Sequence, residues 1–172
     1  MNFYPSKTVR VASIGLIILS GSLPTLAHAA TTAPKAHGKA PKNSVVLPSV
    51  SAHAGVAPVI GKPVGAAPTK LITKDIIVGK GQAALSSSTV TAQYVVMSWK
   101  TGVVYQTSWT AQPFTAPLAN LILGWQQGIP GMKIGGRRLF IIPPALAYGA
   151  QGAGNIPANE TLVFVVDLLG VK

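Results

Sequence analysis

Three acidic side chains, three histidines and no cysteine in 172 residues leave little of the usual catalytic equipment. A two-carboxylate hydrolase site built alongside an acidic metal cage would exhaust the whole supply of Asp and Glu. Without Cys there are no thiol nucleophiles, disulfides, thiolate zinc sites or cysteine-linked lipids. The histidines are His28, His37 and His53, so the aromatic-rich stretch after residue 67 has no imidazole for serine-histidine catalysis or metal ligation. What is present is basic and apolar: 14 Lys plus Arg, a formal net charge of +11 and 48% hydrophobic residues. These balances leave room for a basic exported binding protein, or for an enzyme whose reaction moves no protons.

The chain divides into three regions by composition. In residues 1–29, Lys7 and Arg10 precede an apolar run from Val11 to Leu26 and then Ala27-His28-Ala29. This pattern predicts a secretory signal peptide cleaved after Ala29. The alternative is an uncleaved membrane anchor, but a run interrupted by Gly15 and Pro24 falls short of the roughly 20 residues that span a bilayer. With no Arg-Arg pair, general secretion is expected, with only transient membrane contact and an extracellular, periplasmic or envelope location. Residues 30–67 carry five prolines, four glycines and four lysines, with no acid and no aromatic. Such a segment predicts an extended basic spacer. A second use for its lysines is docking on an anionic envelope surface. Val56 to Val64 is more apolar and could lie along the domain as an extra edge strand.

Residues 68–172 hold nine of the eleven aromatics and a charge balance of +5, and are expected to form the folded domain. The excess is modest and has no aromatic-basic stripe, which argues against a nucleic-acid partner. Lys133, Arg137 and Arg138 read as a solvated turn and the start of a strand. Strands are predicted at Leu71–Val78, Thr89–Trp99, Val103–Tyr105, Arg138–Ile142 and Thr161–Leu169, each bounded by Gly or Pro. Leu121, Trp125 and Ile129 recur at i, i+4 and i+8, which predicts one short helix closed by Pro130 and Gly131. The expected class is α+β, a sheet wrapped round that helix.

Gly149 to Gly154 is glycine-rich but follows Pro143-Pro144 rather than opening a helix after a strand, so it reads as a mobile loop and not as a phosphate cradle. Asn159-Glu160-Thr161 matches a glycosylation acceptor, a pattern frequent by chance. What remains is the aromatic set Tyr94, Tyr105, Phe114, Trp125, Tyr148 and Phe164, which could be core or could line a pocket. Gly124 and Gly128 would leave the helix face around Trp125 bare, and Tyr148 could turn its hydroxyl toward a cavity.

Several ordered motifs resemble one family. Leu123-Gly124-Trp125-Gln126-Gln127-Gly128-Ile129-Pro130-Gly131-Met132, Gly135-Gly136-Arg137-Arg138, Ile142-Pro143-Pro144-Ala145-Leu146-Ala147-Tyr148-Gly149 and Ile156-Pro157 with Thr161-Leu162-Val163-Phe164 are similar to the FKBP-type peptidyl-prolyl cis-trans isomerases, the macrolide-binding immunophilins. The resemblance covers about residues 68–171 and implies a twisted antiparallel sheet around a short helix, with an apolar pocket between them. It places the pocket floor at Trp125, the walls at Tyr94, Tyr105, Phe114 and Phe164, a carbonyl-binding hydroxyl at Tyr148, and substrate contacts at Leu121, Ile122 and Ile156. One departure stands out. Where the family usually reads Phe-Asp-Ser-Ser, this chain has Tyr105-Gln106-Thr107-Ser108, so the pocket aspartate is Gln106. The following loop, Trp109 to Pro113, also lacks the arginine that some members set against that aspartate. Losing both members of a buried pair is compatible with folding; turnover and macrolide affinity are expected to fall.

The implied reaction suits the residues present. Rotation about an X-Pro bond breaks amide resonance against a barrier of roughly 18 to 20 kcal/mol and transfers no proton. The expected substrates are proline-containing polypeptides, the chain is expected to act as a monomer, and neither a cofactor nor a metal is required. A prolyl-binding or chaperone module with weakened turnover is the alternative.

Overall fold

The computed structural model describes residues 45–172, all within one compact unit. The predicted signal peptide and residues 30–44 of the predicted spacer lie outside the described residues. Six strands form one antiparallel sheet: β1 (Ile72–Ile77), β2 (Thr89–Ser98), β3 (Val104–Thr107), β4 (Phe114–Pro117), β5 (Arg137–Ile142) and β6 (Leu162–Val171). The helix α1 spans Leu123–Gly128. The strand order is β1-β5-β6-β2-β3, and β4 also pairs with β2. The α+β class is therefore as expected, with strand ends within a few residues of those predicted.

β4 is the strand that the periodicity did not reveal. Its four residues pair Phe114 with Ala92 and Pro117 with Thr89, and proline is tolerated there because β4 has no second neighbour to receive an N–H. Along the same edge of β2, β3 pairs Gln106 with Val96 and Thr107 with Val95. Two short strands thus share one long partner, with the loop 108–113 between them.

The central strand β6 is buried on both faces. Leu162, Phe164, Val166 and Leu168 point inward with Trp125, Ile129, Phe140 and Ile142, while Val163 and Val165 join Met97, Trp99, Leu139 and Ile141 on the outer face. Period-2 alternation sends successive side chains to opposite layers, so a strand apolar at every position from Leu162 to Val166 needs cover on both sides.

That second cover comes from the segment expected to be a free spacer. Residues 45–66 fold back on themselves through bridges Val46–Val64 and Val50–Ile60, and Leu47, Val50 and Ile60 pack on the outer cluster. The spacer expectation therefore fails from residue 45 onward, and the segment adds no edge strand either. It needs no core of its own, because the sheet supplies the apolar partner that its composition lacks.

Arg137 pins this layer. It is fully buried, not solvated as expected. Its guanidinium donates to both Asp167 oxygens at 2.6 and 2.8 Å, to the Ser51 carbonyl at 2.8 Å and to the Val56 carbonyl at 2.6 Å. The Trp109 ring lies 5.9 Å from it. A buried ion pair adds stability only when its remaining donors are satisfied, and the folded-back segment supplies two of the acceptors. Deleting residues 1–66 should therefore cost about 2 to 5 kcal/mol, from two unsatisfied charged donors and the uncovered outer face. Urea unfolding of the truncated and full chains measures this; an unchanged midpoint would contradict it.

Candidate functional site

Helix α1 is only six residues long and has no side-chain cap, so packing must hold it. Gly124 and Gly128, one turn apart, face β5: a Cβ on either would come within 2.5 Å of Ile142 Cγ2 or Phe140 Cε1. The glycines do not leave the helix face bare, as expected from sequence. They let it settle directly onto the sheet, and the intervening Trp125 is turned into the space beside it. Gln126 secures the preceding turn, donating to Leu121 O at 2.7 Å and to Ala119 O at 3.2 Å.

A cleft of about 90 Å³ opens there. Its floor and walls are Trp125, Tyr94, Phe114, Phe164 and Val96; Leu121, Ile122, Gln106 and Tyr148 complete it. The rings lock edge to face. Trp125 sits 5.7 Å from Tyr94, 6.2 Å from Phe114 and 5.6 Å from Phe164, at interplanar angles of 83 to 89°. Such contacts add about 0.5 to 1.5 kcal/mol each beyond burial and fix the shape of the wall.

Eight of the ten residues singled out from sequence thus meet in one cleft. Tyr105 and Ile156 do not line it: Tyr105 packs on the inner core, and Ile156, 7% exposed, belongs to that core. Val96 was missed, although it lies two residues from Tyr94 on the same strand face. Two positioning residues were also missed. Ser108 fills the gap between β3 and β4, where its hydroxyl accepts the Tyr94 amide at 2.8 Å and donates to the Gln93 side chain. Asn155 donates to Tyr105 O at 2.9 Å, which ties the tip of the glycine-rich loop to β3. The loop base is closed by Asn159 N to Gly149 O at 2.8 Å, so the loop expected to be mobile is anchored at both places.

Gln106 stands exposed at the rim rather than in a buried pair. No Asp, Glu, His, Lys or Arg lines the cleft. Its polar groups are the phenols of Tyr94 and Tyr148 and the Gln106 amide; the Trp125 indole N–H is buried and has no partner among the described residues. The Ile122 amide also has no backbone partner among them. An apolar slot with a few hydrogen-bonding groups at its edge is suited to holding a ring and gripping carbonyls, and has nothing with which to shuttle a proton at neutral pH.

A sequence model of the FKBP-type peptidyl-prolyl cis-trans isomerases matches residues 80–169. The chain belongs to this family. It is 48% identical over 113 residues to a "Probable FK506-binding protein" of Corynebacterium glutamicum, covering 65% of this chain and 96% of the relative. An "FK506-binding protein" of Streptomyces anulatus is 44% identical over 119 residues, covering 66% of this chain and 96% of that one. Among solved structures, FkpA from Escherichia coli superposes with a TM-score of 0.57 at 40% identity, over 60% of this chain and 49% of FkpA. The FKBP fold is therefore shared across the sheet and helix that carry the cleft, and peptidyl-prolyl isomerase activity follows from membership of the family.

Burial raises the pKa of both Tyr94 and Tyr148 above the ordinary phenol value, and the neighbouring Tyr148 adds to the effect at Tyr94. Both stay protonated at neutral pH. Isomerase kcat/KM should accordingly be flat from about pH 6 to 9 and fall only above about pH 10, as the phenols ionise. Their contribution to stability has the same sign: it is complete below the unfolded value and is lost as pH rises through the raised folded values. A pH-rate profile tests this, and a break near pH 7 would contradict it.

Proposed function

We propose that this chain isomerises X-Pro bonds of exported polypeptides in the aromatic cleft, by favouring the twisted amide over the planar one. The observation that carries this reading is an aromatic slot lined by no carboxylate, imidazole, ammonium or guanidinium group, whose two phenols stay protonated at neutral pH. A twisted amide loses resonance and much of its dipole, so an apolar, water-excluding wall stabilises it relative to the ground state. Trp125 holds the prolyl ring. Tyr94, Phe114 and Phe164 exclude water. The Tyr148 hydroxyl and the Ile122 amide bind the carbonyls on either side of the rotating bond, so binding energy along the peptide is spent on the twist. Tyr105 and Ile156 contribute by supporting the wall rather than by contact.

Gln106 offers a neutral hydrogen bond where the family usually presents a carboxylate. The charge-assisted bond is stronger by about 1 kcal/mol, equivalent to roughly 5- to 10-fold in rate. The same substitution supports reduced affinity for FK506-type macrolides. It also favours the second reading, a prolyl-binding chaperone with weakened turnover. Export rests on the basic and apolar pattern of residues 1–29.

An NMR exchange assay on an X-Pro peptide separates the two readings. Acceleration above the uncatalysed rate is expected; its absence would leave only the binding module. Gln106→Asp should raise kcat/KM by roughly 5- to 10-fold, and Tyr148→Phe should lower it by about 5-fold, the loss of one hydrogen bond. A slower Gln106→Asp variant would contradict the role given to that position.

A further inference from the structure

We infer that the preferred substrates are prolyl bonds set in acidic stretches of polypeptide, an inference that rests on the isomerase reading above. It comes from how the described residues use their charges. Of the three carboxylates, Asp167 is held by Arg137 and Asp75 by Arg138, each at 2.6 Å. Glu160 accepts a hydrogen bond from Ser98 Oγ at 2.7 Å. The seven lysines from Lys62 to Lys172 are all exposed, and none forms an ion pair among the described residues.

The two arginines are thus spent internally, while the lysines project an uncompensated positive field. They are widely placed: Lys74 on the edge strand β1, Lys80 between β1 and β2, Lys100 on the β2–β3 turn, Lys133 before β5, and Lys172 at the chain end. The side-chain balance over residues 45–172 is +6, from nine cations and three acids.

The cleft itself lacks the opposing element. No carboxylate lines it, and the rim position is the neutral Gln106, so an acidic side chain beside the proline meets attraction at long range and no like charge at contact. A net field of one sign raises encounter rates by about 10- to 1,000-fold for oppositely charged ligands. A carboxylate at the rim would add like-charge repulsion at the reacting segment, which is the ordinary means of rejecting such substrates.

The test is a protease-free NMR exchange assay with the full chain and three peptides that share one X-Pro core, flanked by Glu, Gln or Lys. At about 10 mM ionic strength, where the screening length of about 30 Å spans a domain, kcat/KM for the Glu peptide should exceed that for the Lys peptide by about 10-fold or more. At 0.5 M salt the ratio should fall below about 3, with the Gln peptide nearly unaffected. The triple variant K74E/K100E/K133E, which cancels the +6 excess of residues 45–172 without touching the cleft, should cut the ratio to below about 3 and keep the Gln-peptide rate.

Equal acceleration of all three peptides at low salt would overturn the preference and leave the isomerase reading standing. No acceleration of any peptide would overturn both. If the cations instead serve an anionic membrane, the rates will be equal and the chain will co-sediment with phosphatidylglycerol vesicles, which also overturns the preference.

Discussion

The close seating of a six-residue helix on β5 is the contact on which the rest of the site depends. A helix this short has no stability of its own in water, and α1 has no side-chain cap to help it. It persists because Gly124 and Gly128 remove the side chains that would hold it off Ile142 and Phe140. Gly costs helix propensity of about 1 kcal/mol per residue relative to Ala, and the packing it permits offsets that cost. With the helix at this height, Trp125 reaches Tyr94, Phe114 and Phe164 edge-on, and the four rings enclose a slot rather than a solid core.

The two faces of the sheet divide the labour. The inner face carries α1 and the cleft; the outer face carries the folded-back segment 45–66, clipped by Arg137. The layers meet where Arg137 lies near Trp109, in the loop between Ser108, which holds the Tyr94 backbone, and Phe114 in the cleft wall. The few acids in the chain serve this architecture. Asp75 and Asp167 each neutralise an arginine, and none is left for the cleft. An isomerase tolerates that economy, since bond rotation needs shape, exclusion of water and carbonyl anchors rather than a charged nucleophile or base.

Much of this was legible in the sequence, for reasons that differ by element. β2 and β6 announced themselves by their β-branched runs, and α1 by the spacing of Leu121, Trp125 and Ile129. The cleft residues came from ordered family motifs rather than from periodicity, since an aromatic on a strand reads the same in a core as in a pocket. β4 was hidden because four residues ending in proline carry almost no strand signal. Residues 45–66 were misread because composition records what a segment lacks and not what its neighbours supply; the hint was β6 itself, apolar on both faces. Arg137 was misread for a related reason: a basic residue after two glycines looks solvated until Asp167, 30 residues away, is known to face it.

The most direct test of this account is the isomerase rate of Gly128→Ala, measured by NMR exchange beside circular dichroism and an unfolding curve. The added methyl would meet Phe140 at 2.5 Å and must lift α1 from the sheet, tilting Trp125 out of its ring contacts. Misplacing such a wall by about 1 Å costs on the order of 100-fold, so the account predicts a fall of at least 10-fold in kcat/KM while the sheet stays folded. A folded Gly128→Ala protein with the parent rate would contradict it.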